Sequence, residues 1–559
     1  VIRVSHPRWW ATAFLALGVP GLALGQTPTL PTEADISRLR PPPLEIPPTP
    51  DFDLRIETPE RAPTPRAVDE LRFAIDDIRV EGMTQYTREQ VSSILDPLQG
   101  ERIALQDLRD AADAIEARYR ADGFFLVRVF IPPQRVEDGV FTIRVIEGYV
   151  EAVYAEGATE SSRRIVERVA TPVVDQRPID LPSLERALLL VNDYPGVTGG
   201  GILRPGTALG ASELVFALLE PRKASFSFNV NNSGSNLLGP WGFAASALLT
   251  NPFPYPGQLS LGVVGSPDLQ KLRSFNARYA AGLGSNGVVA SVGVIASQSK
   301  PRGLGIESQS STVAPRARMP LQRARATSVY LEGGLTINQS HTSLEGTGTR
   351  ITEDKATVAD VALILVDTVR GNGATQVTVG LSFGTDWFGA LDSADPRSGR
   401  QDFDQKFTKL TYGLQRNQNL PGRLSATVVL RGQHSNDRLV SGEQISFGGG
   451  QIGRGYDGGA IAGDRGFGGL VELRWDMPPL ERLSLGPGGR LQWFTAADWA
   501  RVQRIGEASE SLRSVSAGAR YRNDLGWSVE GTVAYGQVED QASDPRSNPR
   551  YLISTTRAF

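Results

Sequence analysis

From Ala224 to the end of the chain, apolar and polar residues alternate in short runs separated by clusters of Gly, Asn, Asp, Ser and Pro. Ala224–Val230, Gln258–Val264, Val288–Ala296, Thr327–Ile337, Thr357–Leu365, Gln376–Phe383, Leu424–Leu430 and Ser528–Tyr535 all show the pattern. A period of two sends successive side chains to opposite faces of a strand. One face in lipid and the other in a wet lumen is the pattern of a transmembrane barrel. Roughly 335 residues at about 21 per strand and loop give about sixteen strands, an even number. The expected fold class is therefore an all-β transmembrane barrel of about 16 antiparallel strands over 223–559, preceded by smaller α+β modules. A soluble solenoid or a set of sandwiches would also alternate. Aromatics near the segment ends and the terminal run from Tyr551 to Phe559 weigh against both. A final Phe with an aromatic eight residues earlier on the same face marks Tyr551 and Phe559 as the candidate barrel-insertion signal.

Upstream the period changes. Phe73–Val80 is a strand candidate ended by Glu81-Gly82, and Thr87–Leu98 and Ala104–Ala121 follow at helical spacing. In the second of these, Leu105, Leu108, Ala112, Ile115 and Tyr119 share one face, and Gly123 stops the helix. Strands at Phe125–Ile131 and Val140–Val145 complete a strand-helix-helix-strand-strand unit over 72–148. A weaker copy fills 149–222: Tyr149–Ala155 with Glu156-Gly157, helices near Ser161–Ala170 and Leu181–Val191, then Ala211–Leu219. Self-similarity at this period implies two copies of one module.

The first 25 residues read as a secretory signal: Arg3 and Arg8, an apolar stretch from Trp9 to Leu24, and a small-residue site at Ala23-Leu24-Gly25. Residues 26–71 form a proline-rich linker, with Pro41-Pro42-Pro43 and Pro47-Pro48 favouring an extended chain, and a short helix over Thr32–Arg40. Composition narrows the chemistry. The net charge of −3 argues against a nucleic-acid partner, and the absence of cysteine removes thiolate and Cys-zinc chemistry. Only His6, His341 and His434 are present, too dispersed for a triad or a metal site. Asp392, Asp395, Asp402 and Asp404 fit no calcium loop and read as a solvated loop. No enzyme activity, cofactor or metal is expected.

The most specific segment is Gly448-Gly-Gly-Gln-Ile-Gly-Arg454-Gly455-Tyr456-Asp457-Gly-Gly. Gly453-x-Gly455-x-x-Gly458 matches a dinucleotide fingerprint, but no strand-then-helix frame surrounds it. The run Phe447-Gly-Gly through Ile452-Gly-Arg454-Gly455-Tyr456 instead resembles the conserved loop motif of the BamA/TpsB superfamily, with Gly453 where valine is usual. The repeated modules resemble its POTRA domains. Gly123-Phe124 through Ile131-Pro132-Pro133-Gln134 is similar to a stretch of the first POTRA domain in the TpsB transporters of two-partner secretion, the haemolysin and filamentous-haemagglutinin exporters. The resemblance covers roughly residues 70–559.

The resemblance implies a Gram-negative outer-membrane transporter with POTRA domains in the periplasm. It would secrete an unfolded, TpsA-like β-helical exoprotein through its barrel, driven by folding outside. Barrel lipid and the barrel assembly machinery would be its other partners. It also implies that the Arg-Gly-Tyr loop folds back into the lumen, with its arginine on an acid of the wall. In Leu491–Arg501, period two puts Phe494, Ala496 and Asp498 on one face. Asp498 is the only acid there and so the candidate partner of Arg454. In POTRA domains the second strand is the usual free edge, which makes Leu126, Val127 and Val129 candidate contacts for an added strand. Packing on the domain's own helices is the competing reading. An insertase for other barrel proteins on the same fold is one alternative function; a passive porin, which would lack the modules and the loop, is another.

Overall fold

A computed structural model describes residues 54–56 and 72–559, apart from 101, 136–138, 158, 175, 220, 236, 369–370, 392–394, 396, 401–402, 479–486 and 538–547. The expected signal segment, the Thr32–Arg40 helix and most of the linker lie outside the described residues. The chain divides into a barrel unit and an N-terminal unit.

In the N-terminal unit, the first module carries a sheet of three strands in the order Asp77–Glu81, Val140–Ile146, Arg128–Phe130. The first pair is parallel and the second antiparallel. The Leu105–Ala121 helix starts where Asp107 accepts from the Ala104 N–H at 2.8 Å, satisfying an end donor. Its Leu108, Ala112, Ile115 and Tyr119 are buried against Ile78, Phe141 and Ile143, the face read from its spacing. Thr87–Leu98 is less regular: a 3-10 turn, one α turn over Ser92–Leu95, and a second 3-10 turn containing Pro97. Gln134 of the Pro-Pro-Gln run exchanges two 2.8 Å bonds with the backbone of Thr142, extending the ladder where the short strand stops.

The second module packs the helices Glu160–Val174 and Leu181–Asp193 on Gly199–Pro205, Ala211–Leu218 and Tyr149–Glu156. Asp180 caps the second helix by accepting from Ser183 N at 2.7 Å. One finding differs from the expected linker. Leu54–Ile56 forms a strand, parallel to Gly201–Leu203, and covers the free side of Gly199–Pro205.

The barrel closes with sixteen strands, each paired antiparallel with its neighbours; Arg550–Ala558 completes the ring against Ala224–Asn231. Phe559 continues this seam, its N–H donating to the Phe226 carbonyl at 2.8 Å. Alternation is plain in Arg465–Asp476: Val471, Leu473 and Trp475 are exposed, while Leu470 and Glu472 are buried. The outward set is large and apolar, as lipid requires. Trp475 and Trp493 face each other across one strand pair and belong to an exposed aromatic belt.

Candidate functional site: a glycine-rich loop seated in the barrel

Residues 436–464 connect Leu424–Ser435 to Arg465–Asp476, far more chain than a hairpin needs. A short ladder, Ile445–Phe447 against Ile461–Gly463, folds this loop on itself. Within it, Gly448 N donates to Ile452 O, Gly449 N to Gly453 O and Tyr456 N to Gly453 O, each at 2.9 Å. The glycines are required by geometry. Gly453 has φ +100°, and a β-carbon there would lie 2.7 Å from Gly448 Cα; Gly455 rests on the backbone of Gly536 with no room for a side chain. Glycine in place of the motif's usual valine therefore accompanies a left-handed turn that a β-branched residue resists.

This fold delivers Arg454 into a charged seat. Arg454 Nη2 pairs with Glu472 Oε2 at 2.7 Å, Nη1 donates to Ser516 Oγ and Nε to Gly450 O, both at 3.3 Å. Glu472 is fully buried and also takes Arg474 Nε and Arg520 Nη1, both at 2.6 Å. Arg520 in turn holds Glu530 at 2.6 Å. The guanidiniums of Arg454 and Arg520 lie 5.4 Å and 4.1 Å from the Phe494 ring centre, so Phe494 belongs to the seat as a cation–π floor.

Asp498 is placed where its alternation put it, buried and inward, yet the ion pair goes to Glu472. Asp498 Oδ1 instead accepts from Gly453 N and Ser514 Oγ, both at 2.6 Å. Alternation along Leu491–Arg501 alone offers Asp498 as the only acid, whereas the seat is built from two strands. Glu472 faces Ala496 on the adjacent strand, so both acids reach the same part of the lumen. An inward carboxylate in the apolar run Leu470-Val-Glu472-Leu was the signal that would have found it.

Tyr456 is buried, with its hydroxyl within hydrogen-bond reach of the carbonyls of Arg513 and Gln537. Gly455 N donates to Ser514 Oγ at 3.3 Å, and Arg550 bonds the Tyr456 carbonyl and pairs with Asp457 at 3.0 Å. Five consecutive strands, from the one carrying Glu472 to the one carrying Arg550, thus hold the loop. Ile445, Phe447, Ile452, Tyr456 and Ile461 pack on Leu470, Ala496, Ala500, Val502 and Leu512. At the loop's end, Asp464 accepts from Arg400 Nη1 at 2.6 Å and from Leu439 N, Gln444 Nε2 and Ile505 N at 2.9–3.0 Å, a latch with no counterpart in the sequence reading. Of the acidic loop, Asp395 pairs with Arg397 at 2.6 Å and Asp404 accepts from Arg438 N; Asp392 and Asp402 lie outside the described residues.

At the module edge, the structure corrects the side chains expected to contact a client. Val127 and Val129 are buried in their own domain's core, so the helix-packing alternative holds for them. Leu126 precedes the strand and packs on the second module's core. The outward residues of Arg128–Phe130 are Arg128 and Phe130. Glu116 Oε2 accepts from Val129 N at 2.9 Å. Tyr551 and Phe559 are exposed on the last strand and its end.

Similarity to known proteins follows the same division. The haemolysin secretion/activation protein family ShlB/FhaC/HecB matches residues 210–521, and the ShlB-type POTRA domain matches 73–148. Heme/hemopexin transporter protein HuxB of Haemophilus influenzae (strain 86-028NP) is 22% identical over 553 residues, covering 96% of both chains. Hemolysin transporter protein HpmB of Proteus mirabilis is 23% identical over 421 residues, 72% of this chain and 73% of the relative. In fold, the chain is similar to CdiB from Escherichia coli, with a TM-score of 0.71, 22% identity, and coverage of 90% and 93% of the two chains.

Proposed function

The chain belongs to the ShlB/FhaC/HecB family of haemolysin secretion/activation proteins, outer-membrane transporters of two-partner secretion with POTRA domains in the periplasm, and we propose that it captures one unfolded exoprotein there and exports it through a pore governed by the Arg454 loop. Its relatives carry the names of heme/hemopexin and hemolysin transporters. For this chain the cargo is a TpsA-like, β-helical exoprotein.

The observation that carries the reading is the seat of Arg454. A loop pinned by a buried ion pair to the wall of a closed barrel obstructs the lumen and has a discrete way to let go. Capture occurs by strand addition at Arg128–Phe130, because Gly199–Pro205 in the second module already has Leu54–Ile56 beside it. The incoming backbone takes the Val129 N–H from Glu116, and Phe130 offers the apolar contact. Tyr551 and Phe559 present the last strand to the barrel assembly machinery during insertion, after which the outward face meets outer-membrane lipid.

The test is secretion of the exoprotein partner, comparing wild type with Arg454→Ala at equal amounts of folded barrel. Export is expected to fall at least tenfold while exoprotein capture in the periplasm persists. Undiminished export would remove the loop's role.

A further inference from the structure

The segment that leads into the capture edge is shared by the two POTRA domains. Phe124 and Val127 pack in the core of the first, while Phe125 and Leu126 pack on the core of the second. The Arg128–Phe130 strand begins at the next residue, and its ladder ends on the pair Arg128 with Ile146. Just past that pair Leu126 lies on Gly148. A β-carbon on Gly148 would come within 2.5 Å of the Leu126 Cβ and carbonyl oxygen. Glycine lets the two chains approach this closely.

The connection between the modules has no slack. The Glu147 carboxylate accepts from Thr84 N at 2.8 Å and Gln85 N at 3.2 Å. It also accepts from the hydroxyls of Thr84 and Tyr119, both at 2.5 Å, so four bonds tie it to the first module. The adjoining Gly148 carbonyl takes the Ile179 N–H of the second module at 3.0 Å, and Tyr149 N donates to Gly210 O at 3.0 Å. A second tie runs through Gly123, which follows the Leu105–Ala121 helix. Its carbonyl accepts from Leu181 N at 2.9 Å. Leu181 opens the Leu181–Asp193 helix, so an end donor of the second module is satisfied by the first.

Domains joined by a linker move relative to each other unless their interface is apolar and extensive. A hinge needs residues that can change their backbone angles. Here each of Glu147, Gly148 and Tyr149 is bonded to one module or the other, and Leu126 carries apolar packing across the joint. A strand captured on a hinged module would sample many directions, and only the fraction aimed at the second module could proceed.

We propose that this joint makes the two POTRA domains one rigid arm, with Leu126, Glu147 and Gly148 as positioning residues for export that hold the captured strand at a fixed angle to the second module. The role rests on capture at Arg128–Phe130, which Phe130→Asp tests separately because it leaves the joint intact.

The full-length chain has no native cysteine, so spin labels are placed at Ala117→Cys and Arg168→Cys, exposed positions on one helix of each module. The distance between them is read in detergent by pulsed dipolar spectroscopy, alone and with the unfolded exoprotein partner. One narrow distance is expected in both states. Leu126→Ser and Gly148→Ala should each broaden it, keep capture within about twofold and lower export at least about fivefold, at equal amounts of folded barrel. Leu126→Met keeps the apolar volume and should behave as wild type. Phe130→Asp should show the converse, a narrow distance with capture lost; capture retained there would refute the edge and leave the arm standing. A broad distance in the wild type would overturn the arm, as would an unchanged distance in both joint variants. Full export with a broadened distance would overturn the positioning role. Loss of capture in Leu126→Ser would make Leu126 a client contact and overturn it too.

Discussion

Replacing Glu472 with glutamine should disturb the loop seat more than replacing Arg454 with methionine, although the two share one ion pair. Glu472 is fully buried and sits among three guanidiniums at 2.6–2.7 Å. Without its charge, Arg520 keeps Glu530, and Arg474, more than a quarter exposed, can rehydrate. Arg454, with a side chain only 9% exposed, is left without its paired carboxylate. A buried charge deprived of its partner costs about 3–5 kcal/mol. The reverse change is milder: Glu472 retains Arg474 and Arg520, so Arg454→Met loses about 1.5–3 kcal/mol, the worth of a hydrogen bond between charged groups. The gap is about 2 kcal/mol. The assay is the unfolding midpoint of the purified barrel in detergent at one scan rate, read by its change in gel mobility, because barrel unfolding is not assumed reversible. The double variant should be less damaged than the sum of the singles, since the pair is coupled. An equal or larger effect of Arg454→Met would refute the hub. A larger effect of Asp498→Asn than of either would restore Asp498 as the ionic partner.

Three further outcomes follow from the same geometry. Gly453→Val installs the residue more usual in the motif into a φ of +100° against Gly448, so about 1–3 kcal/mol of strain and protease cleavage within 448–460 are expected; wild-type resistance would contradict the turn. Phe130→Asp should leave the first POTRA domain folded by circular dichroism and abolish exoprotein capture, whereas Val129→Asp should unfold it; the reverse result would reassign the edge. Burial first, and then the hydrogen bond to Asp122, push the Tyr86 phenol up to about 12. Its folded state favours the proton, so this contribution to stability is complete below the ordinary value near 10 and disappears as pH rises through 12. Tyrosinate absorbance of that domain should show Asp122→Asn lowering the late step; an unchanged titration would remove the Asp122 contact.

The barrel was legible because lipid imposes one rule on every strand: outward side chains such as Val471, Leu473 and Trp475 must be apolar whatever the loops do. Helix faces in the modules were legible for a similar reason, since Leu108, Ala112, Ile115 and Tyr119 are spaced by the helix itself. The Arg454 motif and the inward placement of Phe494 and Asp498 were also readable. Glu472 was not legible as the partner because pairing between strands brings together residues that are separate in sequence, and the period of one strand carries no information on which residue of the next lies beside it. Val127 and Val129 were misassigned for a related reason. Alternation says that two residues share a face but not which face meets the domain's helix. The Leu54–Ile56 strand had no local signal, since a parallel pairing with Gly201–Leu203 depends on a partner about 150 residues away.

The central claim, that this barrel passes an unfolded exoprotein and uses the Arg454 loop to do so, is tested most directly by transport into liposomes. The purified chain, inserted with its POTRA domains outward, is mixed with its unfolded exoprotein partner without nucleotide, and the fraction protected from external protease is measured. Protected, folded exoprotein with wild type, and at least tenfold less with Arg454→Ala, is the result the account expects. Protection no greater than in empty liposomes, or equal in the variant, would contradict it.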